Sequence, residues 1–137
     1  KKLSEKLGDL RGKHISVLGL AFKPGTDDVR EAPSLDIINY LVDEGAIVSA
    51  TDPLALENAR TYLAPTVRLS SDPYDALRGA EAFLLATEWP QLVSLDWKRV
   101  KTIMQKPYLV IDGRNVLDAK QLIELGYQYC GFGRGLY

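Results

Sequence analysis

A loop with two cations is the segment of this chain best suited to hold an anionic ligand. It spans residues 19–33, directly after an apolar strand pattern, and it carries Lys23 and Arg30. Ligands of open α/β sheets bind at the carboxyl ends of the strands, so this position predicts a phosphate or ribose as the ligand. The alternative is that both cations are solvated and only balance the acidic residues of the same loop. Those acidic residues are Asp27, Asp28 and Glu31.

The loop lacks the G-x-G-x-x-G pattern of a dinucleotide-binding turn. Gly19 stands at the first glycine position, but Ala21 and Pro24 stand at the second and third. The close backbone approach that those glycines permit is therefore not provided, which disfavours a self-sufficient NAD domain. Gly25 can adopt positive φ, and the polar side chains of residues 26–28 can hydrogen-bond the loop to itself. We therefore expect side chains to hold the ligand.

A third cation, Arg114, follows the predicted strand at residues 108–112. In the strand order given below, this strand lies two positions from the first, which is about 10 Å. Arg114 and Lys23 could then close on one pyrophosphate from both sides. A charge-assisted contact contributes about 1.5–3 kcal/mol, so two or three would account for much of a micromolar affinity.

Short apolar runs alternate with helical segments along the chain, which is typical of a parallel sheet covered on both faces. We predict an α/β fold: a Rossmann-like, doubly wound, parallel six-stranded sheet, ordered 3-2-1-4-5-6, in a single domain. The predicted strands cover residues 14–19, 47–51, 67–69, 82–86, 108–112 and 127–130. Three acids that precede helical segments are predicted N-caps. They are Asp52, Asp72 and Asp118.

Composition excludes several classes of protein. The 137 residues are 46% hydrophobic and 26% charged, with no apolar run near the length of about 20 residues that spans a bilayer. A net charge of −1 provides no broad positive field for a nucleic acid. One cysteine excludes an internal disulfide, and with no leader pattern at the start we expect a cytoplasmic protein.

The start of the chain reads as the continuation of a longer protein. The only methionine is Met104, and KKLSEKLGDLRGKH is a short polar helical stretch that runs into a strand. We expect residues 1–11 to be the end of a helix from a missing upstream part, and residues 12–137 to form the domain.

Four motifs in register give the chain a resemblance to a known family. They are GLAFKPGTDDVREAPS after the first strand, TEWP at residues 87–90, IDGRN at residues 111–115, and the closing GYQYCGFGR. The chain resembles the carboxy-terminal, UDP-sugar-binding domain of the UDP-glucose/GDP-mannose dehydrogenases over residues 12 to about 134. TEWP and DGRN are most similar to the UDP-glucose branch. The alternatives are a GDP-mannose or UDP-N-acetyl-sugar dehydrogenase domain, and a freestanding nucleotide-binding regulatory module.

The resemblance implies a two-step, NAD-dependent oxidation of UDP-glucose to UDP-glucuronate in a full-length enzyme that is a homodimer or larger. NAD would be bound mainly by an amino-terminal domain that is absent here, as is the catalytic cysteine. By motif match, Phe22, Lys23 and Arg114 would contact the nucleotide sugar, and Arg30 would reach NAD. The resemblance implies no catalytic residue and no metal site in this chain.

The remaining reactive side chains are interpreted as structural. Cys130 lies on the last predicted strand with no adjacent cation or base, so it is read as a small buried residue. His14 begins the first strand, at the end away from the ligand crevice. Trp89 could stack on a base, but packing of Trp89 and Trp97 into the core is the preferred interpretation.

Overall fold

The computed structural model describes residues 7–21, 23–30 and 32–131, and the backbone of residues 135–136. Strands and helices alternate through most of this length. The strands are β1 (His14–Leu18), β2 (Ile47–Thr51), β3 (Arg68–Leu69), β4 (Ala82–Leu85), β5 (Leu109–Asp112), β6 (Gln128–Gly131) and β7 (Gly135–Leu136). The helices are α1 (Pro33–Asp43), α2 (Leu56–Arg60), α3 (Pro73–Leu77), α4 (Pro90–Val93), α5 (Trp97–Ile103) and α6 (Ala119–Glu124).

The strands form one sheet in the order β3-β2-β1-β4-β5-β6-β7. The first six pair in parallel, which confirms the predicted α/β class and strand order. The addition is β7, which pairs antiparallel with β6. From β1 to β3 the chain adds strands toward one edge of the sheet, and from β4 onward it adds them toward the other edge. The loops that follow β1 and β4 therefore diverge, and they border the ligand crevice expected of such a sheet.

The two faces of the sheet bury two separate apolar clusters. Ile15 and Val17 of β1 belong to one cluster with Ile38 of α1, whereas Leu18 belongs to the other with Leu122 of α6. Successive side chains of a strand point to opposite faces of the sheet, and both faces are covered here. This explains why the strands are continuous apolar runs in the sequence. The sheet is thereby a rigid platform for the loops at its carboxyl edge.

Helix α1 buries one apolar side against the sheet. Pro33 occupies the first turn, and Leu35, Ile38 and Leu41 are buried. The helix ends before Gly45, which has φ +89°. Of the predicted helical tail at residues 1–11, residues 1–6 lie outside the described residues, and the described remainder is helical only at Leu7.

Two of the three predicted N-caps are confirmed. Asp72 accepts a hydrogen bond from Tyr74 N at 3.0 Å, and Asp118 accepts one from Gln121 N at 3.1 Å. The prediction for Asp52 is wrong, because α2 begins three residues later than a cap at Asp52 requires and has Ala55 as its N-cap. Asp52 is instead a buried carboxylate at the carboxyl edge of the sheet. Among the described helices, none combines the length and apolar character needed to cross a membrane.

Candidate functional site

A crevice of about 210 Å³ opens at the carboxyl edge of the sheet, between the loops that follow β1, β4 and β5. Carbon atoms of Ile37, Leu84 and Ala86 contribute much of its lining, and Ala21 borders it from the β1 loop. Arg114 lines it from the turn after β5. This is the predicted position, at the reversal of strand order, and it places a cation beside an apolar surface.

The β1 loop reaches the crevice through a very close approach to the segment after β4. Gly19 has φ +97°, and a Cβ atom there would lie 2.5 Å from the Cβ of Thr87. Thr87 is buried, and its hydroxyl donates to the carbonyl of Ala21 at 2.7 Å. Only glycine satisfies both the dihedral angle and the contact, so Gly19 has a structural role that does not involve a phosphate.

Asp52, directly after β2, connects three loops. Its Oδ2 accepts the main-chain N–H groups of Leu20 and Ala21 at 2.7 and 3.0 Å, and the indole Nε1 of Trp89 at 3.3 Å. Its Oδ1 accepts the N–H groups of Leu54 and Ala55, both at 2.8 Å. The residue is 1% exposed. A buried charge satisfied by five donors holds the β1 loop in place and has little capacity left for a ligand.

This arrangement bears on the NAD-domain alternative. In dinucleotide-binding domains, an acid downstream of the glycine loop hydrogen-bonds the ribose hydroxyl of the cofactor. Asp52 lies at the end of β2, but its oxygens are occupied by the chain itself. Within the described residues, Asp52 therefore does not offer the ribose contact of a dinucleotide-binding domain, and Ala21 and Pro24 stand in place of two glycines.

Lys23 lies on the exposed part of the β1 loop, two residues after Ala21. Within the described part of the chain, no hydrogen bond or ion pair engages its side chain. An exposed lysine of this kind is compatible both with the solvated, charge-balancing alternative and with contact to a ligand, so the role of Lys23 stays a prediction. Phe22, the neighbouring predicted contact, lies outside the described residues and stays a prediction.

Arg30 is placed elsewhere, with 80% of its side chain exposed. Its Nε and one terminal nitrogen donate to the two oxygens of Asp28 at 3.1 and 3.2 Å. These hydrogen bonds hold the pKa of Asp28 below its ordinary value. Arg30 lines a second depression of about 280 Å³ beside α2, together with Asn58 and Tyr62. The structure thus separates Arg30 from the crevice of Arg114, and charge balancing by Asp28 does describe it here.

The polar loop residues also bond the loop to itself, as expected. Thr26 Oγ1 accepts the N–H of Asp28 at 3.1 Å, and Asp28 Oδ1 accepts the N–H of Arg30 at 3.0 Å. Asn58 of α2 adds a side-chain bond to the carbonyl of Asp27 at 2.9 Å. The loop is therefore anchored at its start by Asp52 and near its end by α2.

The turn after β5 is fixed by a second buried carboxylate, that of Asp112. Its Oδ1 accepts the N–H of Arg114 at 3.1 Å. Its Oδ2 accepts the N–H of Leu117 and the hydroxyl of Tyr129, both at 2.8 Å. Gly113 packs against β4, since a Cβ there would meet the carbonyl oxygen of Leu85 at 2.9 Å. The main chain of Arg114 is therefore held before any ligand arrives.

The side chain of Arg114 is also held, at Nε. This atom donates to the carbonyl of Ala86 at 2.9 Å and lies 3.3 Å from Oε1 of Glu88. The side chain is 35% exposed. Glu88 lies inside the TEWP motif, but this contact could not be predicted from local sequence, because Arg114 lies in the turn after a different strand.

The structure confirms that the tryptophans pack in the core. Trp89 is 7% exposed and its indole N–H is committed to Asp52. Trp97 stacks on Phe83 at a centroid distance of 5.5 Å. Neither ring offers a free face at the crevice, so stacking of Trp89 on a base is not supported.

His14 and Cys130 agree with their structural interpretations. His14 lies at the amino end of β1, opposite the crevice, and its Nε2 lies 3.0 Å from Ser49 Oγ. Cys130 is 2% exposed on β6. No group of three or more metal-binding side chains occurs among the residues that the structure describes.

Comparison with known proteins gives consistent results. A family model described as the UDP-binding domain of the UDP-glucose/GDP-mannose dehydrogenase family matches residues 16–119. The chain is 43% identical over 133 residues to UDP-glucose 6-dehydrogenase TuaD of Bacillus subtilis strain 168, covering 97% of this chain and 29% of that protein. It is 41% identical over 127 residues to UDP-glucose 6-dehydrogenase of Rhizobium meliloti strain 1021, covering 93% of this chain and again 29% of the relative. The chain thus spans less than a third of the length of these curated relatives.

Solved structures show the same similarity. A UDP-glucose dehydrogenase from Pyrobaculum islandicum matches with a TM-score of 0.76 at 42% identity, over 88% of this chain and 26% of that one. An NDP-N-acetyl-D-galactosaminuronic acid dehydrogenase from Methanosarcina mazei matches with a TM-score of 0.82 at 29% identity, over 98% of this chain and 27% of that one.

Proposed function

This chain belongs to the UDP-glucose/GDP-mannose dehydrogenase family, and we propose that it binds the UDP moiety of a nucleotide sugar in the crevice between β1, β4 and β5. The observation that carries the proposal is Arg114, whose main chain and Nε are fixed where it lines this crevice. A guanidinium on a rigid turn meets a phosphate with little further loss of side-chain freedom.

Lys23 is the proposed second cation. It is exposed and, within the described chain, unengaged, and its loop is tied to the crevice by the contacts of Ala21. A lysine on an exposed loop can meet the diphosphate as a point charge, whereas Arg114 supplies a planar group. The apolar lining from Leu84 and Ile37 suits the carbon faces of a ribose or a base.

For the sugar we propose glucose. The relatives at 41–43% identity, including the solved structure from Pyrobaculum islandicum, are named for UDP-glucose, whereas the Methanosarcina mazei structure at 29% identity is named for an N-acetyl-sugar product. The alternative is a UDP-N-acetyl sugar or GDP-mannose. Competition of UDP-glucose, UDP-N-acetylglucosamine and GDP-mannose for the crevice distinguishes these candidates.

For the whole protein we propose NAD-dependent oxidation of UDP-glucose to UDP-glucuronate. In that reaction, the proposed role of this chain is to bind and orient the nucleotide. Arg30, which is exposed and does not line the crevice, is the residue proposed to reach NAD held elsewhere, after exchanging its contact with Asp28. A homodimeric or larger assembly and a cytoplasmic location stay predictions.

Titration calorimetry tests the binding proposal. We expect UDP and UDP-glucose to bind this chain weakly and NAD scarcely at all, because Asp52 is closed to a ribose. No NADH should form when UDP-glucose and NAD are added to this chain alone. Tight binding of NAD with no response to UDP would refute the assignment and favour the dinucleotide-domain alternative.

A further inference from the structure

The crevice is too small to enclose a whole nucleotide sugar. Its volume is about 210 Å³, whereas pockets that enclose drug-sized ligands measure roughly 300–1,000 Å³. Only part of the ligand can therefore lie inside it. The proposed function assigns the phosphates to Arg114, which lines the crevice from the turn after β5. The part inside is then the base, the ribose or the hexose.

The lining distinguishes these three parts by polarity. Ile37 and Leu84 contribute carbon atoms, and among the described lining residues only Ser34 and Arg114 carry polar side chains. Ser34 is 3% exposed, and its hydroxyl donates to the carbonyl of Leu20 at 2.8 Å. Ribose and hexose hydroxyl groups would lose water here and find few partners, which costs free energy. A base can instead lay its flat faces against the carbon walls and keep its polar edge toward the opening, so the lining favours the base.

Two walls of the crevice are held firmly. Leu84 is 5% exposed and belongs to the core cluster on this face of the sheet. The N–H of Ala21 donates to Asp52 at 3.0 Å, and its carbonyl accepts the hydroxyl of Thr87 at 2.7 Å. Neither wall can move without breaking core packing or buried hydrogen bonds. The space left for a ring therefore depends on the side chain that α1 contributes.

Ile37 is that side chain. It is partly buried and packs against the same core cluster, one helical turn after Pro33, which also lines the crevice. A β-branched side chain in a helix has one strongly preferred χ1 rotamer, so Ile37 forms a stiff wall. A ring too large for the space would have to displace α1 or its packing on the sheet, and overpacking of this kind is unfavourable. Ile37 therefore limits the size of the ring that can enter.

We infer that the crevice holds the base of the nucleotide and that Ile37 makes it selective for a one-ring pyrimidine over a two-ring purine. The inference rests on the proposed function, which it deepens by naming the side chain that selects the base. Selection of this kind works by steric exclusion of the wrong ligand, so it needs no hydrogen bond to the edge of the base.

The test compares the parent with Ile37→Ala in the full chain, by titration calorimetry with UDP and with GDP. These probes share the ribose and the diphosphate, so the ratio of their affinities isolates the base. The parent should prefer UDP at least about ten-fold, and Ile37→Ala should reduce this preference about ten-fold, chiefly by admitting GDP. UDP itself should bind about two- to five-fold more weakly to the variant, because part of an apolar contact is removed.

Two further variants separate selection from packing. Ile37→Val keeps the β-branch and removes one methylene, so it should fold like the parent and give an intermediate ratio of affinities. The control is Val42→Ala, since Val42 is also a partly buried residue of α1 on the same core cluster but does not line the crevice. Val42→Ala should lose stability in a thermal melt and keep the parent ratio of UDP to GDP affinity.

The outcomes distinguish failure of this inference from failure of the proposed function. If the parent prefers UDP to GDP but both Ile37 variants keep the parent ratio, Ile37 does not set the limit, and the inference is wrong while the proposed binding of UDP stands. The same conclusion follows if the parent binds both nucleotides equally, or if Val42→Ala shifts the ratio as far as Ile37→Ala. If the parent fails to bind UDP, the proposed function fails and the inference fails with it.

Discussion

Gly19 and Thr87 approach so closely that no side chain fits between them: a Cβ on Gly19 would lie 2.5 Å from the Cβ of Thr87. This contact joins the β1 loop to the segment after β4. These two segments both border the crevice. Because φ of Gly19 is +97°, the position is restricted both by its dihedral angle and by its surroundings.

Gly19→Ala should therefore be strongly destabilising. We expect a loss of about 2–4 kcal/mol in the free energy of unfolding, from backbone strain combined with a clash against main-chain and side-chain atoms. Urea denaturation measures it. Gly25→Ala is the matched control, since Gly25 has φ +85° but open space around it, and should lose only about 1–2 kcal/mol. Equal losses in the two variants would show that the Thr87 contact costs nothing.

Arg114→Ala should weaken UDP-glucose binding about ten- to a hundred-fold, equivalent to about 1.5–3 kcal/mol for a charge-assisted contact. Stability should hardly change, because the side chain is partly exposed and outside the core. Lysine should restore only part of the affinity, since it lacks the planar fork. Calorimetry and a thermal melt measure both properties.

Arg60→Ala provides the comparison for that experiment. Arg60 is an exposed arginine paired with Glu57 on α2, and it does not line the crevice. Its alanine variant should bind UDP-glucose like the parent. If Arg114→Ala bound equally well, Lys23 and its loop would have to hold the diphosphate without help from β5.

Asp52→Asn should lower the free energy of unfolding by about 3–5 kcal/mol. An amide presents one acceptor oxygen where the carboxylate presents two, so N–H donors of the β1 loop or of residues 54–55 lose their partner in a buried site. Chemical denaturation measures the loss.

Asp72→Asn is the control for Asp52→Asn, because asparagine is also a good N-cap and Asp72 is exposed. Its effect on stability should be within about 0.5 kcal/mol. A similarly small effect at Asp52 would mean that the β1 loop does not depend on the carboxylate.

The stability of the protein should depend on the charge state of His14. Partial burial, and then the positive charge of Arg68, lower the pKa of His14 below its ordinary value of 6.5, against smaller raising effects of Gly79 and Glu81. The unfolded chain therefore binds a proton at a higher pH than the folded one. The free energy of unfolding should fall as pH drops through about 6.5, and this contribution should level off below the pKa of the folded state.

His14→Gln should remove that slope, because the amide can occupy the place of Nε2 beside Ser49 without titrating. Urea denaturation of both proteins at pH 7.5 and 5.5 makes the comparison. Asp28 and Asp75 do not interfere, since their pKa values lie below 3.8. The same pH dependence in parent and variant would assign it to another group.

The strand order could be predicted because each strand and the helix after it carry their own local pattern. The short strand β7 could not, because residues 135–136 have no alternating pattern and gain their pairing only from β6. The location of Arg114 was predictable for a similar reason: it follows a strand, and strands of a parallel sheet end at one edge.

The roles of Asp52 and Glu88 were not predictable from local sequence. Asp52-Pro53 and Asp72-Pro73 look alike as N-cap signals, yet only Asp72 is a cap. Asp52 differs because donors from the β1 loop and from Trp89 surround it, and these come from distant parts of the chain. Glu88 likewise contacts a residue from a distant part of the chain, Arg114 in the turn after β5.

The buried carboxylate of Asp52 has a consequence for protein engineering. Because it joins the connections after β1, β2 and β4, these three segments form one transplantable unit rather than three interchangeable loops. In a chimera that imports only the β1 loop of a relative, the N–H groups of the new loop would have to match the position of the Asp52 carboxylate, which is fixed by the rest of this chain. Recombination to alter sugar preference should therefore exchange Asp52, Thr87 and Trp89 together with the loop they hold.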